Sequence, residues 1–226
     1  MTADRHDDNP LIARSDSDLE VGRTYRGESA SLGDEPIQRL LRCGNMGGFR
    51  ILGSITARTL ELVSLYTTFG DSLWPDQYDA SSGRFTYYGD NKKPGRDLHD
   101  TPQHGNALLR EIYAALHVWP NRRKTVPPAF VFASSPVRSG RAVRFLGVAA
   151  PGAANLDETE DLVALWRSVG EERFQNYRAA FTLLDIPVVP RAWIEALHAG
   201  EAIGPHTPAA WRSWVEEGTY RALQGG

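Results

Sequence analysis

The chain has 226 residues, 41% hydrophobic and 23% charged, with a net charge of −3 at neutral pH. That length suits one domain with a substantial core, and the balance is ordinary for a globular protein. One cysteine, Cys43, excludes a disulfide framework, and no 18-residue apolar run or leader is present, so the expectation is a soluble cytoplasmic protein.

Residues 1–18 are charged and aperiodic, which predicts a disordered tail and a single domain over 19–226. "LEVGRTYRG" (19–27) reads as a first strand. Pro36–Leu41 carries a short helical signal, and Gly47-Gly48 marks a turn. "FRILGSI" (49–55) and "LELVSLYTTFG" (60–70) alternate or run apolar as strands do. "DSLWPDQYDASSG" (71–83) reads as a loop and "RFTYYG" (84–89) as a strand. A long polar loop follows, and loops of that length inside a domain are usually functional or disordered. "NALLREIYAALHVW" (106–119) has Leu108, Leu109, Ile112, Ala115 and Leu116 at helical spacing. "PAFVFASSPV" (128–137) and "RAVRFLGVAA" (141–150) read as two strands joined by a turn at Ser139-Gly140.

From residue 155 the chain reads as helix-rich. "NLDETEDLVALWRSVG" (155–170) has acids in its first turn and a closing glycine, which predicts a capped helix. "RFQNYRAAFTLLDI" (173–186) reads as a strand, and "RAWIEALHAG" (191–200) and "PAAWRSWVEEGTYRALQ" (208–224) as helices. The predicted class is α+β: a strongly curved sheet or barrel with flanking helices and a helical C-terminal segment.

Charge is unevenly spread. Residues 84–144 hold eleven Lys/Arg against four acids, a balance of +7 that leaves −10 for the remainder. A basic middle in an acidic chain is the footprint of one cationic face. Signatures of catalysis are missing: there is no Walker loop, G-x-G-x-x-G, HExxH or G-x-S-x-G. His99 and His104 lack the cysteines or carboxylates that would complete a metal site, so no catalytic residue, metal or cofactor is expected. Trp74, Tyr78, Tyr87 and Tyr88 flank a loop carrying Asp76 and Asp79. Aromatic rings with a carboxylate suit an extruded nucleobase, the rings replacing lost stacking and the carboxylate accepting from an exocyclic amine.

Four stretches carry a resemblance: "GNMGGFR" (44–50), "GRFTYYGDNKKPGRDLHDTPQHGN" (83–106), "RFLGVAAPG" (144–152) and "RFQNYRAAFTLLD" (173–185). From about Leu19 onward the chain resembles the N-terminal domain of modification-dependent restriction endonucleases of the AspBHI and MspJI type, a relative of the SET- and RING-associated (SRA) fold. The resemblance implies recognition of 5-methylcytosine or 5-hydroxymethylcytosine in double-stranded DNA, the base being flipped into a pocket on a curved sheet. Tyr87 would stack on it, with Trp74 opposite, Tyr88 beside them, and Asp76 or Asp79 on the base edge. DNA contacts would come from Asn45 and Arg50, from Asp90, Asn91, Lys92, Lys93, Arg96, His104 and Asn106, and from Arg122, Arg123 and Lys124. Enzymes of this type carry a nuclease domain after this one, and the present chain ends at Gly226, so cleavage would fall to such a domain or to a partner nuclease. Three other readings stand beside this one: a different modification such as phosphorothioate, a metal-dependent nuclease using Asp90, Asp97 and Asp100, and a module binding a small ligand or protein.

Overall fold

Runs of strand-forming residues, buried almost continuously over 62–67 and 129–134, set the architecture, seen in a computed structural model that describes residues 9–29, 34–44, 48–55, 57–119, 121–136 and 141–224. In chain order the strands are β1 (Leu11–Ile12), β2 (Leu19–Glu20), β3 (Thr24–Arg26), β4 (Phe49–Leu52), β5 (Leu62–Thr67), β6 (Gln77–Asp79) and β7 (Arg84–Tyr88). They continue with β8 (Ala129–Ser134), β9 (Ala142–Pro151), β10 (Leu162–Val169), β11 (Glu172–Leu183) and β12 (Val188–Val189). The helices are α1 (Pro36–Leu41), α2 (Gly105–His117), α3 (Glu158–Asp161), α4 (Arg191–His198) and α5 (Ala209–Glu217), with a 3-10 turn at Arg122–Thr125.

Ten strands form one sheet whose main path runs β4-β5-β8-β9-β11-β7-β6. β3 pairs with β9 and β1, β10 pairs with β11, and β2 and β12 form a separate ribbon. The pairings β5–β8 and β1–β3 are parallel, the others antiparallel. The class is thus mixed α+β, but the expected barrel is not closed: among the described residues no ladder joins β4 to β6. Side chains bridge the gap instead. Tyr87 Oη on β7 donates to the carbonyls of Gly48 at 2.9 Å and Tyr66 at 3.1 Å, and Thr67 Oγ1 at the end of β5 donates to Asp76 at 2.7 Å.

Several local expectations change. Within the predicted tail, Leu11–Ile12 form β1, which pairs with β3, and Ala13 is buried. The first strand is broken at Gly22, whose positive φ of 82° turns the chain between β2 and β3. β4 stops at Gly53, where φ is 102° and a Cβ would lie 1.8 Å from the Thr59 carbonyl oxygen, so no other residue fits. The segment read as a loop over 71–83 contains β6. The turn at Ser139-Gly140 lies outside the described residues.

The largest difference is at 155–170. Its start signal is real: Asp157 accepts from Thr159 N and forms a capping box with Glu160. The helix lasts one turn. Residues 162–169 then form β10, paired residue for residue with Glu172–Ala179 through a turn at Gly170, where φ is 60°. Val163, Trp166 and Val169 fit a pleated surface, and the long β11 supplies eight partners that an isolated helix would lack. Tertiary pairing outweighs the helix-like start.

The core lies against the sheet and under α2, α4 and α5. A run of rings connects Phe130 of β8 to Trp193 (6.1 Å), Trp193 to Trp211 (6.0 Å) and Trp211 to Trp214 (4.9 Å). No helix among the described residues is long and apolar enough to cross a membrane.

Candidate nucleic-acid interface

Where β4, β5 and β7 end together, they leave a cavity of about 670 Å³. Its lining includes Phe49, Thr67, Asp76, Tyr87 and Tyr88. Asp76 is buried, and its two oxygens accept from Thr67 Oγ1 (2.7 Å) and the Tyr88 backbone N–H (2.8 Å). Burial raises its pKa, the two hydrogen bonds opposing the shift. Each carboxylate oxygen accepts more than one hydrogen bond, so acceptor capacity remains toward the cavity. Asp79 has a different role: exposed at the end of β6, it accepts from both Ser81 and Ser82. Those hydroxyls hold its pKa at about 2. It shapes a turn and does not line the cavity.

Tyr87, a residue 3% exposed, lines the cavity, its ring edge-on to Phe49 (5.2 Å, 86°) and tilted against Phe85 (5.6 Å). Alternation along β7 sends Tyr88 to the other side, where it packs on Trp74 at 5.5 Å. Trp74 is not a wall of the cavity. It is fully buried in a separate cluster with Tyr88 and Phe174, and the Arg167 guanidinium lies 5.0 Å from its ring. The hairpin β10–β11 supplies Phe174 and Arg167, a packing that short-range spacing around Trp74 does not reveal.

The long polar loop is ordered by its own side chains. Asp90 accepts from Gly105 N, Asn106 N and Thr101 Oγ1, each at 2.9 Å, and so caps α2 from fifteen residues upstream. Asn91 is buried and donates to the Arg96 and Gln175 carbonyls, while Asn106 donates to the Leu98 carbonyl. His104 takes the left-handed conformation that opens α2. Asp90, Asn91 and Asn106, read as DNA contacts from the sequence, are therefore engaged inside the protein. Asp90→Ala is expected to lower unfolding stability by about 1–2 kcal/mol through loss of the cap. Denaturant titration checks this, and unchanged stability would show that the cap contributes nothing.

Lys92 lines the cavity and pairs with Asp71 at 3.0 Å. Burial pushes the Asp71 carboxyl up, but hydrogen bonds from Trp74 N, Lys92 and Leu73 N outweigh it, and the net shift is downward. Lys93 and Arg96 are exposed. Arg122, Arg123 and Lys124 sit elsewhere. They follow the C-terminus of α2, about 18 Å along its axis from the end that Asp90 caps. There Arg123 donates to the Val215 and Glu216 carbonyls at the end of α5. The basic stretch is thus divided between the two ends of α2. Arg50 is buried rather than presented at the surface, and Asn45 lies outside the described residues. Arg141, absent from the sequence-based set, lines the cavity beside β9. Only the pairing of β8 with β9 brings it there.

Among the described residues no group of three or more His, Cys, Asp or Glu side chains is placed to hold a metal ion. Asp90, the first of the acids considered for a nuclease, has both oxygens engaged in the cap.

Comparison with known proteins gives a consistent set. The family described as "Restriction endonuclease AspBHI N-terminal" matches residues 19–225. The solved structure of the DNA modification-dependent restriction endonuclease AspBHI is 40% identical, with a TM-score of 0.88 over 96% of this chain and 56% of that one. The DNA recognition domain of the cytosine modification-dependent restriction endonuclease LpnPI is 39% identical, also at 0.88, over 98% of this chain and 99% of that one. MspJI in complex with a 27-mer oligonucleotide, 20% identical at a TM-score of 0.64, shares the fold. The chain spans little more than half of the AspBHI chain but nearly all of the LpnPI domain. Among curated proteins none matches.

Proposed function

The chain belongs to the family of restriction endonuclease AspBHI N-terminal domains, and from that premise we propose that it recognises modified cytosine in duplex DNA for a modification-dependent restriction system. The base leaves the stack and enters the cavity at the ends of β4, β5 and β7. Asp76 accepts a hydrogen bond from the exocyclic amine and Tyr87 forms the ring wall. The observation that carries this reading is a buried carboxylate held by Thr67 and Tyr88 in a cavity lined with aromatic rings. Extruding a base costs a few kcal/mol, which ring contact and a charged hydrogen bond offset. Asp76 also supplies the discrimination that the 5-methyl group cannot. Thymine carries the same methyl but presents a carbonyl oxygen where cytosine presents its amine, and two acceptors repel. Cutting belongs to a nuclease domain or a partner nuclease.

The test is binding of otherwise identical duplexes with cytosine, 5-methylcytosine, 5-hydroxymethylcytosine or a phosphorothioate linkage at one position, followed by anisotropy. Modified cytosine is expected to bind more tightly than cytosine, with no cleavage in magnesium. Equal affinity for all four duplexes would end this proposal, and preference for the phosphorothioate would redirect it.

A further inference from the structure

The cavity has a second half, apart from Asp76 and Tyr87. Cross-strand partners share a face of a sheet and alternate residues change face. Thr67 and Phe49 therefore lie on one face of β4–β5, with Asp76 and Tyr87, while Arg50 and Tyr66 lie on the other. The pairing of Tyr66 with Phe132 and of Ser134 with Val143 places Thr68, Ser134 and Val143 on that same second face. Arg141 lies two residues before Val143, and all of these except Phe132 line the cavity. The end of β5 thus divides the cavity into a lobe with Asp76 and Tyr87 and a lobe with Arg50 and Arg141.

The second lobe has the makings of an anion site. The Arg50 side chain is 6% exposed and lies 5.7 Å from the Tyr66 ring centroid. One of its nitrogens donates to Glu35 at 3.0 Å. Nε and Nη1 are buried and have no hydrogen-bond partner among the described residues. Glu35 uses its other oxygen to accept from Gln38 N at the start of α1, so the pair is fixed from behind. Arg141 is exposed and has no ion pair or hydrogen bond to a described residue. Two guanidiniums and one carboxylate leave a net positive lobe, which Ser134 also lines.

We propose that this lobe holds a backbone phosphate of the strand from which the base is extruded, Arg50 donating from within and Arg141 from the rim. The proposal rests on the DNA reading above. Phosphate contacts fix register without reading sequence, and a guanidinium suits them because its donors form a rigid fork. The lobe would anchor the backbone on one side of β5 while the base is held on the other.

The test uses the intact chain and modified duplexes in which single phosphates around the modified cytosine are replaced, one at a time, by neutral methylphosphonates. One such linkage is expected to lower affinity about tenfold. Arg141→Ala should lower it by a similar factor and flatten the salt dependence by about one unit, and the two losses should not add. Arg141 is chosen because it is exposed. Arg50→Lys, tested in parallel after a urea melt confirms folding, should show the same non-additivity. Fully additive losses, or wild-type binding insensitive to every neutral linkage, overturn the proposal. Inorganic phosphate is also titrated at constant ionic strength. Its binding without any effect of a neutral linkage would assign the lobe to a small free anion and overturn the DNA assignment. Failure of the base reading is separable, because it appears as equal wild-type affinity for modified and unmodified duplex, on which the phosphate effects can still be measured.

Discussion

Asp76→Ala is expected to lower affinity for duplex carrying modified cytosine tenfold to a hundredfold, while weak binding to unmodified duplex persists. The loss corresponds to about 1.5–3 kcal/mol for a hydrogen bond to a charged group. It falls on the modified site because Asp76 lies in the cavity, whereas phosphate contacts are insensitive to modification. Asp79→Ala is the control. Its carboxylate is spent on Ser81 and Ser82 at the surface, so binding should not change. Removing Asp76 also leaves Thr67 Oγ1 and the Tyr88 N–H without their acceptor, so the folded fraction of each variant is measured by denaturant titration before affinities are compared. An equal loss for modified and unmodified duplex would place Asp76 outside base recognition. A fluorescent base analogue at the target position gives an independent readout, since extrusion raises its emission and a stacked base does not.

Trp214→Ala is expected to destabilise the protein by about 3–5 kcal/mol, the range for a buried large aromatic residue. Trp214 is fully buried, its ring 4.9 Å from Trp211 and 6.2 Å from Tyr220, at the end of the run that connects α4 and α5 to the sheet. In a chain of this size the loss lowers the melting temperature by roughly 10 °C. Below that temperature DNA binding should be intact, because α5 packs away from the cavity wall. Unchanged stability with lost binding would move the interface onto the C-terminal helices.

The two expectations draw on different parts of what the sequence reveals. The role of Trp214 follows from helical spacing alone, since Trp211, Trp214 and Val215 fall on one face of α5 and all three are buried. The location of Asp76 does not. Asp76 and Asp79 are equivalent in the sequence: both are acids in a polar segment before an aromatic strand. They are separated by what lies opposite them, Thr67 and the Tyr88 N–H for one and two serines for the other.

By itself the sequence determined the elements whose signals are local. The helix after the long loop, the aromatic strand before it, the paired strands over 128–150 and the C-terminal helices follow from periodicity, caps and turn residues, which act over a few positions. The mixed α+β class follows from their order. Only the tertiary structure decided features set by distant partners. Residues 162–169 became a strand because β11 offers an edge. Trp74 left the cavity because Phe174 and Arg167, about a hundred residues later, cover it. Asp90 became a cap because the start of α2 lies against it. Arg50 went inside because Glu35 neutralises it there. A charge or a ring looks the same in a sequence whether it faces water, another side chain or a ligand. Its desolvation and its partners differ among those places, and they are fixed only when the sheet brings its strand ends together.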